Sequence, residues 1–385
     1  MKIPLKYNLR SLWVRKLGTL MTAFGIGLTV AVLVTMMALV RGLDGTFLET
    51  GQEHDLIVLR KGAENETNSY FNRDFFPIIR RLPGVAKGED GEPLVVGELI
   101  VVINHPRLSG EDSNVVVRGT TPLGLSMRPE VEMVEGRFFR KGLREIIVSR
   151  SLANRFRDMA LGDHLATAGR EWKVVGVFEA GGSAYNSEVW GDYDEIAQAW
   201  RRPIYASILV RTTGANAAGE FQDRIDEDRR IQLSAIPQRD YYSRQATSSI
   251  GIKALGWFLA VVMGIGSCFA AMNMMYGTIM ARFKEVGTLR SIGFKRRSIL
   301  ASFLIESILV AVVGGVIGCL LALPVHGIST GTTNFTSFSE VLFNFRITPD
   351  ILLKAVLYSA VVGVLGGFFP ALRAARLKLV EVLRD

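Results

Sequence analysis

The sequence predicts a membrane protein with four transmembrane α-helices, one and then three, and a large α+β extracytoplasmic domain inserted between helices one and two. Four apolar stretches, about Leu17 to Val40, Leu255 to Met280, Ile299 to Pro324 and Ile351 to Leu372, each supply the roughly 20 residues that a helix needs to cross about 30 Å of hydrocarbon. The interval from Arg41 to Gly251 is too charged for a membrane interior and carries recurrent β-branched runs. Basic residues gather at alternate ends of the apolar stretches, which orients them. A hydrophobic content of 49% agrees with this division.

Residues 1–16 hold Lys2, Lys6, Arg10, Arg15 and Lys16 and are expected in the cytoplasm. Helix one covers 17–42. A cleaved signal peptide is the rival reading, but the apolar run exceeds the roughly 7–15 residues of such a core, and no small-x-small site follows Val40.

The extracytoplasmic domain spans 43–238, long enough for a proper core. Strands are predicted at Asp55–Leu59, Leu94–Ile103, Asn114–Val117, Glu145–Val148, Trp172–Phe178 and Ile204–Val210. Helical patterns fall between them at about Arg73–Leu82, Ser151–Arg157, Tyr193–Trp200 and Ala215–Asp228, with Asp74, Ser151 or Asp192 as N-caps. Gly62–Ser69 and Gly181–Ser187 lack periodicity and read as mobile loops.

Residues 239–280 form a stalk running into helix two. A helix unbroken from Asp240 to Met280 would extend roughly 60 Å; the alternative is a solvated linker. Between helices two and three, 281–298 carries Arg282, Lys284, Arg290, Lys295, Arg296 and Arg297, a cytoplasmic loop. Helix three is 299–324, and 325–350 is a short outer loop whose sole basic residue is Arg346. Helix four is 351–372. The tail, 373–385, with Arg373, Arg376, Lys378 and Arg384, returns to the cytoplasm.

This topology explains the net charge of +8. The three cytoplasmic pieces carry +5, +5 and +2, which leaves −4 for the remainder, so nucleic acid is not an implied partner. Both cysteines, Cys268 and Cys319, lie in predicted spans, and no disulfide framework is implied. No catalytic arrangement stands out: a phosphate-binding Gly-x-x-x-x-Gly-Lys-Ser/Thr loop, His-Glu-x-x-His and Cys-x-x-Cys are all missing. His54, His105, His164 and His326 are scattered, so no metal site is expected. Asp223, Asp226, Glu227 and Asp228 lie among arginines and read as an ion-paired face, and Leu108–Asp112 reads as a turn.

In the 281–293 run, Phe283, Val286, Leu289 and Ile292 recur at every third residue, giving an amphipathic helix. Gly293 is placed to end it, and Gly287 permits close backbone approach. The stripe can lie on membrane lipid or dock in a groove of a partner. Glu306 sits about two turns into helix three. A carboxylate there costs about 2.5–3.5 kcal/mol on insertion scales, so it needs a partner, with Asn273 and the basic loop residues as candidates. Structural pairing and a role in proton or cation transfer are the two readings. Gly264, Gly314, Gly315, Gly318, Gly363 and Gly367, at four-residue spacing among small residues, suit helix packing.

Two stretches resemble the permease subunits of the FtsX/MacB family of ABC transporters. Ala281-Arg-Phe-Lys-Glu-Val-Gly-Thr-Leu-Arg-Ser-Ile-Gly293, followed by Leu304-Ile-Glu306 and Gly314-Gly-Val-Ile-Gly318, is similar to the family's Arg-x-x-Glu-Ile-Gly-x-Leu-Arg-Ala-Ile-Gly pattern, helix-three glutamate and glycine cluster. Pro370-Ala-Leu-Arg-Ala-Ala-Arg376 with Val380-Glu-Val-Leu-Arg384 resembles its C-terminal end. Val286, Ser291 and Phe294-Lys295 depart from the pattern.

The resemblance implies a noncatalytic subunit of the bacterial inner membrane, with both termini cytoplasmic. It implies a homodimer served by a separate ABC ATPase that binds ATP and Mg, so this chain needs no cofactor of its own. Arg282, Phe283, Lys284, Glu285, Val286, Gly287, Leu289, Arg290 and Gly293 are then the ATPase-coupling residues. It further implies mechanotransmission, either export or release of lipoprotein, peptide, lipid or small molecules, or control of a cell-wall hydrolase, with a periplasmic adaptor as a further partner. The alternative from another class is an ATPase-independent receptor or scaffold whose outer domain binds an envelope protein.

Overall fold

The computed structural model describes residues 16–48, 50–228, 230–246, 250–333 and 339–376. The chain divides into two units, one of residues 1–41, 251–328 and 345–385, the other of 42–250 and 329–344. Among the described residues, seven helices are nine or more residues long: α1 (Lys16–Leu48), α2 (Ala215–Glu227), α3 (Gln238–Ala246), α4 (Ile250–Ala281), α5 (Phe283–Ser291), α6 (Arg296–Ala322) and α7 (Pro349–Ala375).

Of these, α1, α4, α6 and α7 are long and apolar enough to cross a membrane. Lipid offers no hydrophobic drive for helices to associate, so they meet where small residues admit a neighbour's backbone. On α6, Gly314 faces the Ala23 carbonyl of α1 and Gly318 faces Gly27 and Val30; any Cβ there would collide. Gly315 of α6 lies against Ser359 of α7, while Gly363 and Gly367 of α7 lie against Ser307 of α6. The Ser307 hydroxyl donates to the Gly363 carbonyl at 2.7 Å. Gly264 of α4 sits under the Tyr358 hydroxyl, which donates to the Ala260 carbonyl at 2.8 Å. Large apolar side chains, among them Phe24, Leu255, Trp257, Phe258 and Phe269, stay exposed on the outside of the bundle.

Ten strands build the main sheet of the other unit: β1 (Asp55–Arg60), β2 (Val95–Pro106), β3 (Asp112–Thr120), β4 (Glu132–Gly136), β5 (Glu145–Ser149), β6 (His164–Thr167), β7 (Arg170–Glu179), β8 (Glu188–Asp192), β9 (Ser207–Arg211) and β10 (Leu233–Pro237). Their order is β10-β1-β9-β2-β3-β8-β5-β7-β4, with β6 on β7. The β3–β8 and β5–β7 pairs are parallel and the others antiparallel. A two-stranded hairpin, β11 (Ser329–Thr333) with β12 (Glu340–Asn344), also belongs to this unit.

Side chains alternate across a strand, so the central strands present two different faces. Leu99, Val101, Val115 and Val117 enter the main apolar core with Leu56, Ile208, Ile196 and Phe221. Glu98, Ile100, Val116 and Arg118 point the other way, and that side buries charge. Arg118 uses all five of its N–H groups: two bonds to Glu188 at 2.7 and 2.8 Å, two to Glu66 at 3.0 and 3.1 Å, and one to Glu98 at 2.7 Å. Arg128 forks onto both oxygens of Glu98 at 2.7 Å, and the Thr120 hydroxyl adds a further donor. Burial alone would raise the Glu98 carboxyl, but Arg128 and Arg118 outweigh it and hold it at about 2.

All six predicted strands occur, the last of them broken into Ile204–Tyr205 and β9. Several local expectations are corrected. Asn72 and Ser149, not Asp74 and Ser151, cap the helical turns after them, because each side chain reaches a free N–H two or three residues on. Asp192 caps its helix as expected. Gly62–Ser69 contains a helical turn at Glu66–Asn68 whose Glu66 is buried against Arg118, and Gly181–Ser187 ends in a turn that buries Tyr185 and Ser187. The outer loop 325–350 is not merely a loop: it forms β11–β12, where Glu340 is buried between Arg107 at 2.8 Å and Arg155 at 3.2 Å. Helix occupies Gln238–Ala246 and Ile250–Ala281, but an unbroken rod through 247–249 lies outside the described residues.

Candidate coupling site

The helix predicted in 281–293 is α5, and it belongs to the bundle unit. At the junction with α4, Arg282 leaves helical geometry with φ −113° and ψ 20°. Glu285 in the first turn and Arg290 in the last complement the helix dipole. Gly293, at φ +101°, lies in the region that glycine adopts without strain and ends the helix, with the Phe294 N–H donating to the Leu289 carbonyl at 3.1 Å.

The Arg282 side chain is buried and bridges two helices. Its NH1 donates to Glu306 Oε2 of α6 at 3.0 Å and its Nε to Glu285 Oε2 of α5 at 3.1 Å. The guanidinium also lies 5.4 Å from the centre of the Phe303 ring. A carboxylate within a spanning helix therefore meets an opposite charge, and that charge is held at the first turn of α5. Of the partners foreseen for Glu306, the basic loop supplies this one, while Asn273 lies on an exposed side of α4. The charge is thus paired within the helix bundle.

The apolar stripe of α5 is turned inward in part. Val286 packs with Met275, Ile279, Ile299, Phe303, Ala371 and Ala374, and Gly287 is buried beside it. Phe283, Leu289 and Arg290 are half-buried, and Lys284, Glu285, Thr288, Ser291, Ile292 and Gly293 are exposed. Of the stripe, Val286 fills the bundle, Phe283 and Leu289 are partly covered and Ile292 is open, so the outward face carries Lys284, Thr288, Ser291 and Ile292. Periodicity finds an amphipathic helix but not which neighbour its apolar side covers.

Sequence reasoning missed the buried charge around Arg118 altogether. A signal was present, since Glu98 and Arg118 interrupt or adjoin runs of β-branched residues at positions where both sheet faces are covered. Among the described residues no group of His, Cys, Asp and Glu is arranged to hold a metal ion.

Residues 19–228 match the model of the MacB-like periplasmic core domain, and residues 257–379 match that of the FtsX-like permease C-terminal region. The macrolide export ATP-binding/permease protein MacB of Nitrosomonas europaea is 25% identical, over 97% of this chain and 58% of that protein. The pyoverdine export ATP-binding/permease protein PvdT of Pseudomonas entomophila is 24% identical, again over 97% and 58%. A crystal structure of the extracellular domain of the noncanonic ABC-type transporter YknZ covers 47% of this chain at 16% identity with a TM-score of 0.37. This chain spans 58% of the length of both curated relatives. With both halves matched in order, the chain belongs to the MacB-like and FtsX-like permeases of the ABC transporter family.

Proposed function

We propose that this permease receives force at α5 from a separate ABC ATPase and passes it to the sheet-containing unit on the other side of the membrane. The single observation that carries this reading is the Glu306–Arg282–Glu285 link, which fastens α5 to the spanning helix α6 through buried charge. A push on α5 then cannot dissipate in a loose loop. The partner, with its ATP and Mg, meets the outward face formed by Lys284, Thr288, Ser291 and Ile292 and not the buried stripe. The chain itself is noncatalytic, resides in the bacterial inner membrane with both termini cytoplasmic, and works as a dimer through the apolar surfaces left open on the bundle. The names of the relatives favour export of a small molecule as cargo; release of lipoprotein, peptide or lipid fits the same mechanics.

Lys284→Glu combined with Thr288→Trp reverses charge and adds bulk on the exposed face without touching Arg282 or Val286. Hydrolysis stimulated in the ABC ATPase that co-purifies with the chain should fall at least roughly tenfold, the effect of losing one buried interface contact. Insertion and thermal stability should stay at parental values. Undiminished stimulation would argue against this face.

A further inference from the structure

Three stretches of the sheet-containing unit continue along the chain into spanning helices: the end of α1 with Thr50, the start of α3 at Gln238, and the hairpin β11–β12. All three are tied to one five-residue segment, Ala184–Glu188. The Ala184 N–H donates to the Thr50 hydroxyl at 2.8 Å, and that hydroxyl donates in turn to the Thr46 carbonyl of α1 at 2.6 Å. The Tyr185 hydroxyl accepts from Gln238 Nε2 at 2.8 Å, and its ring meets that of Tyr242 edge-on at 5.9 Å. The Ser187 hydroxyl accepts from the Leu342 N–H of β12 at 2.8 Å. Glu188 then anchors the segment on Arg118. A cavity of about 50 Å³ beside it is lined by Phe47, Tyr241, Tyr242, Ser339 and Val341 of the same three stretches, together with Glu66, Ile100, Val116 and Arg118.

Nothing in the composition of Gly181-Gly-Ser-Ala-Tyr-Asn-Ser187 calls for burial, yet Tyr185 is wholly enclosed and Ser187 nearly so. The Ala184 N–H and the Tyr185 and Ser187 hydroxyls serve the three ties, while Asn186 accepts from the Ser149 hydroxyl at 2.6 Å and the Ala180 N–H at 2.9 Å and so holds the segment in place. A single helical turn has no slack with which to move one tie independently of the next. We infer that Ala184–Glu188 is a clasp that joins the three crossings into one cooperative unit, so that a displacement entering through one is felt at the others.

Amide hydrogen exchange on the full chain in detergent tests this with Ser187→Ala and Tyr185→Phe, each of which removes one tie and keeps the packing volume nearly intact. Either variant should speed exchange at the end of α1, in α3 and in β12 together, by roughly tenfold, while β2 and β3 keep parental protection. Acceleration confined to the stretch whose own bond was cut, spread evenly over the sheet, or absent overturns the clasp. The readout uses neither nucleotide nor ATPase, so it stands or falls separately from the coupling proposed at α5.

Discussion

Replacing Arg118 with methionine should unfold the sheet-containing unit at urea concentrations that leave the parent intact, a loss of about 3–5 kcal/mol. The guanidinium is almost wholly enclosed and neutralises Glu66, Glu98 and Glu188 at once. Once it is gone, Arg128 remains to face three carboxylates that water cannot reach. Arg118→Lys should fail as well, because an ammonium offers three donors from one point where five in a planar fork are in use. Urea titration of the full chain in detergent, followed by the fluorescence of Trp172, Trp190 and Trp200, measures this, since all three lie in the affected unit. An unchanged midpoint would mean that the buried charge contributes nothing.

Arg282→Met should have an effect of similar size on the bundle, again about 3–5 kcal/mol, because the Glu306 carboxylate loses its guanidinium within a spanning helix. The informative variant is the pair Arg282→Met with Glu306→Leu. Removing both charges leaves no buried ion to compensate, so thermal stability in detergent should return close to the parental value. Stimulated ATP hydrolysis should nevertheless remain low, because α5 is no longer tied to α6 through charge. Recovery of stimulation along with stability would reduce the link to a packing detail.

The four spans and the strand runs were legible because each is written in local composition: length of apolar stretch for the spans, β-branched runs for the strands. The coupling helix was legible in part. Its Gly293 terminus follows from local backbone preference, but Val286 faces inward because of α4, α6 and α7, which no local pattern records. Glu306 could be seen to need a partner; choosing Arg282 over Asn273 depends on the turn between α4 and α5. The hairpin β11–β12 was not legible, since Ser329–Thr333 is polar and pairs only because β12 lies beside it. Gly181–Ser187 reads as a mobile loop for the same reason. Its order comes from residues 134, 53 and 155 positions away in sequence, and glycine and serine carry no sign of such distant partners.

Thr288 is exposed on the face of α5 through which the partner is proposed to push. A photoreactive benzoylphenylalanine in place of Thr288, irradiated in intact cells, tests that contact most directly. The account predicts an adduct with a separate ABC ATPase chain, lost when Lys284→Glu is added. Adducts formed with phospholipid alone, or labelling of this position by a reagent confined to the outer side of the membrane, would contradict it.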